Sequence, residues 1–251
     1  FAYGIAGSYY KVKLDLEQVQ TEENKRKILP NELGLRAFFK DSFEKATSHF
    51  TKFIELNPLS AEGYQNRGGA LYQAGNIKEA INDYNQAISI KPAQADLYQM
   101  RAIAYMALPA NDEAERNSHL IEAEKDLLQA QQINPNEIAI YLNLAACYSL
   151  RGCIEEALNC YSKAFSLSSK SKKTRIEILK KMSLLHFEKG DYENALADCE
   201  KAIQRECQDS EIYLIRGHCF LAIQQYDEAI KNYDLALSAG SQEQNINFNR
   251  A

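Results

Sequence analysis

The sequence predicts an all-α solenoid of stacked antiparallel helix pairs, and three observations lead there. In Tyr64–Pro92, YQNRGGALYQAGNIKEAINDYNQAISIKP, apolar or small residues recur at helical spacing, first at Tyr64, Gly68, Leu71 and Tyr72, then at Ala80, Ile81, Tyr84, Ala87 and Ile88. Ala74-Gly75-Asn76 separates the two runs, and Pro92 ends the second because proline cannot continue the hydrogen-bonded ladder. The unit then returns: Ala46, Ala80, Ala123, Ala157, Ala195 and Ala229 are equivalent anchors, at successive differences of 34, 43, 34, 38 and 34. A hairpin this short cannot bury its own apolar faces, so copies must stack on one another.

Each anchor has companions in fixed register. Four residues on stand Phe50, Tyr84, Leu127, Tyr161, Cys199 and Tyr233, and seven on stand Phe53, Ala87, Ala130, Ala164, Ala202 and Ala236. Twelve before stand Gly34, Gly68, Ala145, Ser183 and Gly217, with Ala102 in the stretched third copy. Small residues there allow close helix approach, and a larger side chain at Ala80 or Ala157 would cost about 1–3 kcal/mol. Sixteen before, Tyr64, Tyr141 and Tyr213 hold an aromatic slot, with Tyr98 in the third copy; Pro30 and Leu179 depart from it, and Trp is absent. The pattern resembles the tetratricopeptide repeat, a unit of about 34 residues with small residues where helices cross. The resemblance implies a right-handed superhelical solenoid, with six repeats in 27–241 at about 27–60, 61–94, 95–137, 138–175, 176–209 and 210–243.

In chain order, residues 1–26 read as a partial or divergent repeat and helical extension: Tyr3, Ala6, Gly7 and Tyr10 echo a first helix, and DLEQVQTEENKRK favours helix with a thin apolar stripe. The first clear copy is rich in phenylalanine, at 38, 39, 43, 50 and 53, and ends at Pro58. The third gains nine residues (43 minus 34) around PANDEAERNSHL, within 109–120. Asn111 reads as an N-cap ahead of an acidic first turn, so the second helix is expected to start about two turns early and project from the stack. The fourth gains four (38 minus 34) in SSKSKKTR, predicting a basic loop at 169–175 with Lys170, Lys172, Lys173 and Arg175 and serines able to accept phosphate. The fifth diverges at Leu179, Met182 and His186, and the sixth returns to type. Within 244–251, NFNRA matches YLIRG and reads as the start of a truncated seventh repeat.

Charged residues make up 25% of the chain and the net charge is −5, which argues against a nucleic-acid surface. No apolar run is long enough for a membrane span, and no signal-peptide pattern opens the sequence. Cys147, Cys153, Cys160, Cys199, Cys207 and Cys219 lie on or beside repeat helices without C-x-x-C spacing, so they read as small core residues rather than metal ligands, with a reducing cytoplasmic compartment expected. There is no phosphate-cradling glycine loop, H-E-x-x-H or nucleophile elbow, and His49, His119, His186 and His218 fall in four different repeats. The chain is therefore expected to be non-catalytic and to need no cofactor or metal.

The resemblance implies function through a concave groove lined by the first helices, which receives a peptide or a partner helix. Register places there Asn31, Leu35, Phe38 and Phe39; Gln65, Asn66 and Tyr72; Gln99, Met100, Ile103 and Met106; Leu142, Asn143, Ala146 and Leu150; Lys180, Lys181, Leu184 and Phe187; and Leu214, Ile215, His218 and Leu221. Asn66, Asn143 and Asn249 share one register, resembling an asparagine ladder for an extended peptide backbone, interrupted by Met100, Lys181 and Ile215. The family's carboxylate clamp for heat-shock chaperone tails is not matched. The window from the second copy offers Gln65, Gly69, Met100, Ala139 and Asn143 where fixed cations are needed, and the other windows do no better. The expected role is thus an interaction scaffold. The alternative is a substrate-recruiting or regulatory segment of a larger enzyme such as a glycosyltransferase; further repeats beyond Ala251 would favour the former, a catalytic fold the latter. Open solenoid ends also predict self-association by end-to-end stacking.

Overall fold

The computed structural model describes residues 22–240 apart from 206 and 208, and among the described residues every regular element is an α-helix. The partial repeats expected within 1–21 and 244–251 lie outside them. Two compact units divide at Pro135. The first holds α1 (Glu22–Phe38), α2 (Phe43–Leu56), α3 (Ala61–Gln73), α4 (Ile77–Ile90), α5 (Ala95–Ala107) and α6 (Glu113–Ile133). The second holds α7 (Ile138–Leu150), α8 (Ile154–Leu167), α9 (Lys172–Glu188), α10 (Tyr192–Ile203), α11 (Ser210–Ala222) and α12 (Tyr226–Ser238).

In each unit a helix packs most heavily against its successor in the same repeat, and the first helices of neighbouring repeats touch, α1 with α3, α3 with α5 and α9 with α11. The small residues are what permit this. A Cβ at Gly34, Gly68 or Gly217 would lie 2.5, 2.7 or 2.6 Å from the ring of Phe50, Tyr84 or Tyr233. All six anchor alanines are buried. Within most repeats the chain reverses through one left-handed residue, where Gly75, Gly152 and Gly190 have φ of +84°, +73° and +80°. The following amide then bonds back five residues, as from Asn76 N to Leu71 O and from Cys153 N to Tyr148 O, both 2.9 Å. Asp41 and Gln224 take the same role at φ +53° and +63° without the freedom of glycine.

The two insertions resolve differently. In the third repeat α6 runs 21 residues against 14 in α4 and α8, and so starts about two turns early. Its cap is Asp112, whose side chain accepts from Glu115 N at 2.7 Å, while Asn111 bonds the Glu115 carboxylate at 2.8 Å. Only the first part is solvated: Ala114, Arg116, Asn117 and Ser118 are exposed, and Leu120 is already core. In the fourth repeat the expected basic loop at 169–175 is mostly helix. Ser171 caps α9 by accepting from Thr174 N at 3.2 Å, so Lys172, Lys173 and Arg175 form its first turn. The boundary placed between 175 and 176 therefore falls inside α9, because a good capping serine lets the helix start where the extra residues lie.

Candidate functional site

In the first unit, α1, α3 and α5 form one layer, and the residues expected in the groove divide into two sets. Phe38, Asn66, Tyr72, Met100, Ile103 and Met106 are half-buried and Phe39 is 48% exposed, so this set offers a face with apolar character. Phe38 meets the rings of Phe39 and Phe43 edge-on, at 5.9 and 5.5 Å. A shallow pocket, with room at its floor for about one water-sized group, opens among Leu35, Phe38, Phe50, Gln65, Asn66, Gly69 and Met100.

Asn31, Leu35, Gln65 and Gln99 do not present themselves as surface. They are buried, and this corrects the expectation drawn from register. For Asn31 and Gln65 the reason is the neighbouring repeat, whose first turn closes over them, while Leu35 packs in a cluster with Ala46, Phe50 and Ala70. Asn31 Nδ2 donates to Glu62 Oε1 at the start of α3 (2.9 Å), and Gln65 Oε1 accepts from Gln94 Nε2 at the cap of α5 (3.4 Å). The arrangement has a consequence for Asn66. Its Nδ2 donates to Asn31 Oδ1 at 3.0 Å, so the carboxamide is oriented by a relay anchored on Glu62, with its own oxygen left as acceptor.

In the second unit Leu142, Asn143, Ala146, Leu184, Phe187, Leu214, His218 and Leu221 are half-buried, Leu150 is 46% exposed and Lys181 is exposed. The His218 ring lies 6.1 Å from Phe187 and 5.6 Å from Tyr233. Ile215 and Lys180 are buried and so also depart from the expected face. Lys180 shares the register of Asn31 and Gln65 and performs their task with charge: Nζ reaches Asp209 at 2.6 Å and Glu211 at 2.7 Å, at the cap and first turn of α11. Burial alone would depress its pKa, but the bonds to Asp209 and Glu211 outweigh that and raise it.

One linkage escaped the sequence reading. Arg67 makes a bidentate pair with Asp83 (2.8 and 2.7 Å), and Arg101 one with Asp126 (2.7 and 2.6 Å), each tying the two helices of a repeat. Arg67 also reaches Thr51 and Arg101 reaches Asn85, both on the preceding repeat. The signal was present as Arg and Asp recurring in register, but pairing them needs the crossing of two helices. In the fifth repeat Met182 stands where the arginine would be. There Asp198 is met by Lys201 at 2.9 Å and by His186 at 3.7 Å.

The cysteines behave as core residues. Cys147, Cys199, Cys207 and Cys219 are buried, and none of the six forms a disulfide. Burial pushes the thiol of Cys199 up to about 11 and that of Cys219 up to about 12; burial, with Glu156 nearby, pushes Cys160 up to about 11. Among the described residues no group of His, Cys, Asp and Glu could hold a metal ion, and no helix is long and apolar enough to cross a membrane.

Family models described as TPR repeat or tetratricopeptide repeat match residues 68–108, 136–205 and 181–243. The chain is a tetratricopeptide-repeat protein. Its fold is the all-α helix-pair solenoid of that family. Among curated relatives, this tetratricopeptide-repeat protein is 25% identical over 215 residues to anaphase-promoting complex subunit 7 of Homo sapiens, a match covering 84% of the chain but 35% of the relative's length. Among solved structures it superposes on the APC/C hetero-tetramer Cut9-Hcn1 with a TM-score of 0.67 at 13% identity, covering 98% of this chain and 46% of that one. YrrB, described as a TPR protein with an unusual peptide-binding site, superposes with a TM-score of 0.63 at 16% identity, covering 79% and 96%.

Proposed function

We propose that this tetratricopeptide-repeat protein is a non-catalytic interaction scaffold whose first-helix faces receive a peptide or helix of a protein partner. The observation behind this reading is the face of α1, α3 and α5, where Phe38, Phe39, Tyr72, Met100, Ile103 and Met106 leave apolar surface at water around a carboxamide held by a polar relay. Contiguous exposed apolar surface favours partner binding, and an oriented acceptor suits a backbone N–H. The relatives add support of a general kind, since one is by name a subunit of a complex and another was solved within a hetero-tetramer.

The test is a pull-down with the chain beside a variant carrying Phe39→Glu, Met106→Glu and Leu150→Glu, after circular dichroism shows both folded. These positions are half-buried or exposed, so charge there spares the core. The expected outcome is a protein retained by the parent and lost by the variant. Equal retention by both would remove the first-helix faces as the binding surface.

A further inference from the structure

The second unit carries a cluster of basic residues around Phe165. Between Glu156 and Glu177 the sequence has no acidic residue, while Lys163, Lys170, Lys172, Lys173 and Arg175 are all basic. Folding adds a cation from another repeat. The guanidinium carbon of Arg175 lies 4.0 Å from the centroid of the Phe165 ring and that of Arg205 5.7 Å from the same centroid, so α8, the start of α9 and the end of α10 converge on one aromatic. Stacking on a ring holds a guanidinium in place without using its N–H groups.

These two arginines differ from others in the protein. Arg36, Arg67, Arg101 and Arg216 each face a carboxylate. Among the described residues Arg175 and Arg205 form no ion pair; Arg205 donates to the Lys201 carbonyl at 2.6 Å, and Arg175 has its Nε buried without a hydrogen-bond partner. Among the described residues, the neighbouring Glu200 pairs with Arg216 at 3.3 Å and Glu177 with Lys180 at 3.9 Å. In a chain of net charge −5, two guanidinium groups on one ring, with no ion pair among the described residues, concentrate positive charge locally.

We propose that Arg175 and Arg205, seated on Phe165 and flanked by Lys170 and Lys173, form a docking site for an acidic peptide segment of a protein partner. Planar guanidinium forks match carboxylates in bidentate geometry. The negative charge of the rest of the chain disfavours a long polyanion such as a nucleic acid, whose backbone would run beyond the cluster.

The probe is a fluorescein-labelled peptide of alternating Asp and Glu, followed by anisotropy with the whole chain at low salt and again at about 0.15 M, where charges beyond about 8 Å are screened. The expected result is saturable binding that weakens with salt. Arg175→Gln/Arg205→Gln should weaken it about tenfold or more, the loss of one to two charge-assisted contacts. Lys170→Gln/Lys173→Gln, at exposed positions free of the core, should weaken it by a smaller factor. Lys45→Gln/Lys78→Gln, the same charge change on exposed residues of the first unit, should alter it by less than about twofold.

Equal losses in the arginine pair and the control pair would reduce the effect to net charge and overturn the proposal. So would equal binding of an uncharged Ser/Gln peptide, no binding at low salt, or a single-stranded oligonucleotide binding more tightly than the peptide. The site does not rest on the first-helix faces: the Phe39, Met106 and Leu150 variant should bind the acidic peptide as the parent does, so either surface can fail alone.

Discussion

Gly68 faces the Tyr84 ring so closely that even a methyl group would force it aside. Gly68→Ala is expected to destabilise the protein by about 1–3 kcal/mol in chemical denaturation, the usual penalty for overpacking. The fourth repeat shows that the cost is one of repacking, since Ala145 stands in the same register opposite Tyr161. Gly68→Ala/Tyr84→Leu, which copies the Ala102 and Leu127 pair of the third repeat, should therefore recover part of the loss; a double variant no better than the single would show that the ring is not the obstacle. The thiols report on burial at the same scale. With pKa values pushed up to about 11, 11 and 12, Cys160, Cys199 and Cys219 are almost wholly thiol near neutral pH. They should label with a disulfide reagent at pH 8 only after denaturant is added. Labelling within minutes in the native protein would mean that these helices open readily.

Helix pairs are joined by a few polar ties whose removal should be costly. Asp83 is 5% exposed, so Arg67→Met leaves a buried carboxylate without its partner and is expected to cost about 2–4 kcal/mol, measured as a fall in denaturation midpoint. Arg67→Met/Asp83→Leu should restore much of it, because no charge is then left buried. Lys180 ties α9 to α11 and gives the acid side of the stability profile a definite sign. Burial would raise the Asp209 pKa, but the Lys180 bond and the Glu211 amide lower it on balance, so its folded value lies below its unfolded one. The pair's contribution is therefore present above the ordinary carboxylate range and lost as pH falls through the lowered value; on the alkaline side it is lost only above the ordinary lysine range. In melting curves from pH 7 to pH 2.5, Lys180→Met should start lower and decline less steeply than the parent. Parallel curves would show that the pair adds nothing.

At the scale of the whole chain, stability in a repeat array is close to a sum of repeat and neighbour terms. Gly68 and Gly217 lie in different units, each against its own ring. The losses from Gly68→Ala and Gly217→Ala should accordingly add to within about 0.5 kcal/mol in the double variant. A clear departure would show that the two sites are energetically coupled. The two proposed surfaces are of opposite character, an apolar face on first helices and a basic site around Phe165, and the two binding experiments separate them.

The repeat itself was legible in the residues. Helix type and period, the crossing pairs such as Gly68 with Tyr84, and the early start of α6 all follow from local spacing, because small residues and aromatics must recur wherever helices cross. Register also named a set of first-helix positions, yet it could not divide them. Asn31, Gln65 and Lys180 look like neighbours of Asn66 and Lys181 in sequence, and only the adjoining repeat's first turn, closing over one side of the helix, decides which of them meet water. The basic stretch was visible too, but as a loop. That Ser171 turns it into the start of α9 is local chemistry, whereas bringing Arg175 and Arg205 onto one ring across thirty positions (205 minus 175) depends on how neighbouring helix pairs pack. Local periodicity determines which elements form and which faces are apolar; contacts between repeats, made by residues far apart in the chain, decide which side chains remain for a partner.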